Sequence, residues 1–92
     1  MSNVVIIGGN ERMEGQYQQV CRNHNCRAKI YTKTNGRIKD KIGHPQMLIV
    51  FTGTVAHKMA VMAQREAKKN GVPIRYAYSS SVNALENILS AG

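Results

Sequence analysis

Two short apolar runs, rich in β-branched residues, constrain the fold of this chain more than any other feature. They read VVII at residues 4–7 and MLIVF at residues 47–51, and neither alternates with polar residues. A strand with one face in water shows alternation, whereas a continuous apolar run is typical of a strand covered on both faces. We therefore expect an α/β fold in which these two runs form the central strands of a parallel sheet.

Two other segments alternate and suit half-exposed edge strands. In residues 28–33, Ala, Ile and Thr alternate with Lys, Tyr and Lys; in residues 74–78, Ile, Tyr and Tyr alternate with Arg and Ala. Cations on an edge strand discourage pairing with other chains. With right-handed crossovers, the strand order becomes 2-1-3-4. The prediction is a single doubly wound, Rossmann-like or flavodoxin-like domain over residues 1–92, with a four-stranded parallel sheet and three helices.

The three predicted helices lie between and after these strands, where apolar residues recur at helical spacing. The first follows Asn10 and has one apolar face, made by Met13, Tyr17, Val20, Cys21 and His24. The second spans residues 55–70, with a stripe of Ala56, Ala60, Ala63 and Ala67. The third begins near Ser81 and buries Val82, Leu85, Ile88 and Leu89. Residues 34–46 are polar and basic, and we expect a loop or a short irregular helix there.

Ligands of such sheets bind beyond the carboxyl ends of the strands, at the switch point between strands 1 and 3. Three turns rich in Gly, Ser and Thr converge there, and each precedes a helix, whose free N–H groups and positive dipole end suit a phosphate. The predicted ligand-binding residues are Gly8, Gly9, Asn10, Arg12, Thr52, Gly53, Thr54, His57, Ser79, Ser80 and Ser81. We expect non-catalytic binding, for sensing or sequestration, of an anionic small molecule, in particular a nucleotide.

Each of these turns also has a purely structural interpretation, because tight turns and N-caps use the same residues. A dinucleotide cofactor is not expected: the glycine after Gly8 and Gly9 is Gly15, which does not give the G-x-G-x-x-G spacing. No acidic residue for a ribose follows strand 2, and no Walker A pattern occurs. We therefore predict no cofactor.

The charge of the chain supports a second hypothesis, nucleic-acid binding. Thirteen Lys and Arg against five Asp and Glu give a net charge of +8, an excess that favours anionic partners. The cations concentrate in residues 22–41, and the candidate residues are Arg22, Arg27, Lys29, Lys33, Arg37, Lys39 and Lys41. The alternative is a solvated, solubilising edge.

A small hydrolase or transferase using His57 is the third hypothesis, with Ser79 or Thr54 as nucleophile, although no group that would orient the imidazole is evident. No metal site is predicted, because Cys21, His24 and Cys26 are too few for zinc; a disulfide between the two cysteines stays open. The longest apolar run, residues 47–51, is too short to cross a membrane. With no signal peptide evident, we expect a cytoplasmic homo-oligomer, a dimer in particular, with Tyr76 and Tyr78 candidates for its interface.

Three segments resemble one small bacterial family, the domain of unknown function numbered 2325. They are VVIIGG at residues 4–9, VAH at residues 55–57 and AKKNGVP at residues 67–73, and the serine turn with the last helix is similar as well. The resemblance implies a Rossmann-like fold and implicates Gly8, Gly9, His57 and residues 79–81. It implies no reaction. Ala56 replaces the serine of the family's V-S-H motif, and Gln64 stands where a lysine is usual.

Overall fold

The computed structural model describes residues 2–33 and 38–91. Its strands are β1 (Ser2–Ile7), β2 (Cys26–Tyr31), β3 (Met47–Phe51) and β4 (Ile74–Ala77). Its α-helices are α1 (Glu14–Asn23), α2 (Lys39–Ile42), α3 (His57–Lys69) and α4 (Val82–Ala91). Two 3₁₀ turns, Glu11–Met13 and Thr52–Thr54, follow β1 and β3. In this part of the chain no helix is long and apolar enough to span a membrane.

The four strands form one parallel sheet in the order β2-β1-β3-β4, which confirms the predicted order and fold class. The two apolar runs form the central strands β1 and β3, and residues 4–7 and 48–51 are buried on both faces. Burying one aliphatic side chain stabilises a fold by about 1.5–3 kcal/mol. The central pair therefore contributes strongly to stability, and the exposed charges of β2 and β4 lie at the edges.

Helices cover both faces of the sheet. On one face α1 and α4 bury Tyr17, Cys21 and Leu85 against the strands. On the other face α3 packs through Ala63 and Ala67, whose small side chains let the helix approach the sheet closely. The predicted apolar faces of α1 and α3 are thus confirmed at their central positions.

The structure differs from the sequence prediction in the number of helices and at one helix boundary. Four α-helices, not three, occur in the described ranges, because α2 forms within the segment predicted as a loop or short irregular helix. Its inner face consists of Ile38 and Ile42, four residues apart and both buried, but one turn is too short to give a periodic signal. The second predicted helix begins at His57, not at residue 55, so Ala56 is its exposed N-cap and lies outside the alanine stripe.

Candidate functional site

Three turns meet at the carboxyl edge of the sheet, and we call this region the rim: residues 8–13, 52–58 and 78–81. Hydrogen bonds join the turns directly. Gly9 N–H donates to Thr54 Oγ1 (2.8 Å), and Gly53 N–H donates to the Tyr78 carbonyl (3.1 Å). The three predicted turns are therefore brought together at the switch point between β1 and β3.

Glycine is required where β1 turns into the rim. Gly8 and Gly9 have φ of +96° and +94°, a region that other residues rarely adopt. A Cβ on Gly8 would lie 2.8 Å from Thr54 Oγ1, and one on Gly9 would lie 2.9 Å from the Tyr17 ring. Both glycines therefore allow the close approach of the neighbouring turn and of α1.

Several amides expected to face a ligand are bonded within the protein. Asn10 N–H donates to the Tyr17 hydroxyl (3.1 Å), which itself donates to the Ser80 carbonyl (2.6 Å). Arg12 N–H donates to Asn10 Oδ1 (2.9 Å), so Asn10 caps the 3₁₀ turn, not α1. Together with the Gly9 and Gly53 bonds, these contacts hold the three turns of the rim against one another and against α1. Tyr17 was not predicted as a rim residue, because its helical spacing indicated only a core position.

Most hydroxyl groups of the predicted serines and threonines form hydrogen bonds with backbone groups. Ser81 Oγ accepts from Ala84 N–H (3.0 Å) and caps α4, whereas Thr54 caps no helix and donates to the Phe51 carbonyl (3.0 Å). Ser79 Oγ accepts from Ser81 N–H (3.2 Å), and the Thr52 hydroxyl is 3.5 Å from the Ala77 carbonyl. The serine and threonine hydroxyls thus mainly order the turns.

The amino end of α3 is the open part of the rim. Its N-cap Ala56 has the extended backbone of a cap (φ −65°, ψ 145°) but no side chain that can accept a hydrogen bond. Met59 N–H bonds the Ala56 carbonyl (2.9 Å), while His57 N–H and Lys58 N–H meet no acceptor in residues 2–33 and 38–91. Two free amides at a positive dipole end, beside an exposed lysine, favour an anion.

A shallow cavity of about 350 Å³ lies beside this helix end, lined by Ala56, Lys58, Met59 and Met62. Met59 and Met62 are half-buried, pack against the core and form the apolar wall of this cavity. Thioether side chains adapt to varied partners. The groove therefore offers a cation and amides at one end and an apolar surface along the side.

The remaining chemistry of the rim is sparse. The exposed His57 ring makes no hydrogen bond with a described residue, so no side chain orients it as a base. Glu11 pairs with Lys33 across 3.2 Å, and both side chains are exposed. Exposed Arg12 lies on the first 3₁₀ turn and can contribute charge to the rim.

The described cations of the basic stretch have different surroundings. Arg27, Lys29 and Lys41 line a common cavity of about 440 Å³, away from the rim. Lys33 is paired with Glu11, whereas Arg22 and Lys39 are exposed on α1 and α2. Arg37, the seventh candidate, lies outside the described residues.

The cysteines are free thiols in the core. Burial, with a smaller contribution from nearby Cys26, raises the pKa of the Cys21 thiol to about 11. His24 Nε2 lies 2.5 Å from Glu86 Oε1 and joins α1 to α4. Among the described residues no group of three or more His, Cys, Asp or Glu is arranged to hold a metal ion.

Comparison with known proteins identifies the sequence family and the fold. The sequence model of a family described as an uncharacterized protein conserved in bacteria (DUF2325) matches residues 3–91. No curated protein matches the sequence. A de novo designed Rossmann fold protein is similar in structure, with a TM-score of 0.63 and 12% identity over 96% of this chain and 93% of that one. At this identity the similarity shows the fold alone.

Proposed function

The chain belongs to the uncharacterised bacterial family DUF2325, and we propose that it binds a phosphate-bearing small molecule, in particular a nucleotide, at the rim. The observation that carries this proposal is the uncapped amino end of α3. The N–H groups of His57 and Lys58 are unpaired in the described structure and lie at the switch point where ligands of this architecture bind.

The neighbouring groups extend the binding surface in two directions. Lys58 adds a positive charge beside the free amides, and Met59 and Met62 provide an apolar wall of the adjacent cavity. A nucleotide likewise combines a charged phosphate with a flat, largely apolar base. We therefore expect the phosphate at the helix end and the base along the methionines.

We expect the protein to bind this ligand without catalysing a reaction, and so to sense or sequester it in the cell. The glycine and serine turns act by holding the amino end of α3 in place, since their own polar groups are bonded to each other. We expect this to happen in the cytoplasm, where Cys21 and Cys26 stay reduced.

The substitution Ala56→Asp tests this proposal. An aspartate at the N-cap can accept from the Lys58 N–H, one of the two amides that the phosphate would use, and its negative charge repels the phosphate; it also stabilises the helix. With AMP as the probe, we expect the ¹⁵N amide signals of His57 and Lys58 to shift in wild type. In the variant the affinity read from the shifts of the rim amides should fall at least about tenfold, because charge-assisted hydrogen bonds contribute roughly 1.5–3 kcal/mol.

Gln64→Asp is the matched control, because it adds the same charge at an exposed position of the same helix. Its affinity for AMP should stay within about twofold of wild type, since Coulomb effects of exposed charges are weak at that distance. Equal affinity of Ala56→Asp and wild type, or shifts confined to residues outside the rim, would contradict the proposal.

We also infer that the protein is a homodimer in solution. Tyr76 and Tyr78, on and just after the edge strand β4, are 45% and 82% exposed. Exposed aromatic side chains are enriched at protein interfaces, and a second copy would cover the open edge of the sheet.

A further inference from the structure

We infer that the cavity between β2 and α2 is a second binding site, separate from the rim, for a small phosphomonoester with an apolar body. The carrying observation is that three cations, two on β2 and one on α2, surround one concave space of about 440 Å³. Sites for small molecules have volumes of about 300–1,000 Å³, so the space suits a small organic phosphate.

The sheet register places the first two cations. Arg27 pairs with Asn3 and Lys29 pairs with Val5 along the parallel β1–β2 ladder. Side chains two residues apart on a strand point to the same face. Arg27 and Lys29 therefore project from the sheet face that bears Val5, on which Ile42 of α2 packs against the central strands. Both cationic side chains are exposed there.

The third cation comes from the other wall. Lys41 lies on α2, and its Nζ is 5.3 Å from the centre of the Tyr31 ring at the end of β2. This cation–π contact holds the ammonium group toward the strand. The lysine is thus directed to the same space as Arg27 and Lys29.

The cavity has an uncompensated positive charge. Asp40 is its one acidic lining residue in the described structure, so three cations against one carboxylate leave an excess of two positive charges. None of the three cations forms an ion pair with a described residue. Like charges held together repel each other, and a dianion such as a phosphomonoester relieves this repulsion.

The other lining groups distinguish a small phosphate ester from free phosphate. Val5, Ile42 and Pro45 are buried residues that present apolar surface to the cavity. An arginine fork matches phosphate oxygens in pairs, and the apolar floor would contact the organic part of the ligand. We therefore expect phenyl phosphate to bind more tightly than inorganic phosphate.

The test compares wild type with the double variant Arg27→Ala/Lys29→Ala, using phenyl phosphate as the probe in calorimetry and amide NMR. Both side chains are exposed on an edge strand, so the variant should fold normally. Its affinity, read from the amide shifts of residues 27, 29 and 41 so that binding at the rim does not contribute, should fall at least about tenfold, because two charge-assisted contacts are lost. Wild-type shifts should centre on residues 27, 29 and 41.

Arg22→Ala/Arg65→Ala is the matched control, since it removes two exposed cations from α1 and α3 and leaves the cavity intact. It should bind phenyl phosphate within about twofold of wild type. Equal losses in both double variants would overturn the inference, because they would show only a net-charge effect.

A single-stranded oligonucleotide serves as the competing ligand. A backbone phosphate contact would give affinity that rises with oligonucleotide length and falls steeply with salt; tighter binding of a 12-mer than of phenyl phosphate would overturn the inference. The rim proposal is tested separately, because Ala56→Asp should leave phenyl phosphate binding at residues 27, 29 and 41 unchanged. Failure at one site therefore does not imply failure at the other.

Discussion

The substitution Ala56→Ser should stabilise the protein, because it supplies the side-chain cap that α3 lacks. Ala56 already has an N-cap backbone, and a serine Oγ there can accept from the N–H of Lys58 or Met59. Replacing Ala by Ser at an N-cap contributes about 1 kcal/mol. With an unfolding entropy of about 2.1 cal/mol/K per residue, the 92 residues give a rise in Tm of about 5 °C.

Thermal unfolding followed by circular dichroism, in buffer free of phosphate and sulfate, measures this shift. Gln64→Ser is the control, since it introduces the same residue at an exposed position inside α3, where it should lower stability by a few tenths of a kcal/mol. An unchanged or lower Tm for Ala56→Ser would refute the reasoning, because the free amides would then not be available to an acceptor. The proposal that the free amides of α3 bind a phosphate would then fail as well.

Three further predictions concern stability and assembly. Gly8→Ala should destabilise the fold by about 2–4 kcal/mol in urea unfolding, because it strains the backbone and brings a Cβ against Thr54. Gly15→Ala is the control: its Cβ meets open space in α1, and it should stabilise the fold by about 0.5–1 kcal/mol. Equal effects of the two substitutions would contradict this prediction. Raising the pH from 9 to 11 should lower the free energy of unfolding by about 2 kcal/mol through Cys21. The pKa of this thiol rises from 9.0 to about 11 on folding, so the unfolded chain releases the thiol proton first. In Cys21→Ala this part of the pH dependence should vanish, and an unaltered slope would exclude it. Light scattering should give about twice the 10.2 kDa chain mass, and Tyr76→Lys with Tyr78→Lys should give the monomer mass; a monomeric wild type would reject the dimer.

The candidate site was predictable in location but not in detail. The three turns follow strands that were readable from hydrophobicity, so their convergence was expected from the architecture. Which amides remain free was not, because Gly9 and Thr54 are 45 residues apart, and Tyr17 and Ser80 are 63 apart. Such partners are found only when the chain is folded.

The sequence alone determined the architecture, since apolar periodicity reports which faces of each segment are buried and crossover handedness limits the strand order. The central position of residues 4–7 and 47–51 follows from these local patterns. The open amino end of α3 and the common cavity of Arg27, Lys29 and Lys41 arise only in the folded molecule. Both features depend on how residues far apart in the sequence pack against each other. A local sequence pattern carries no information on such contacts.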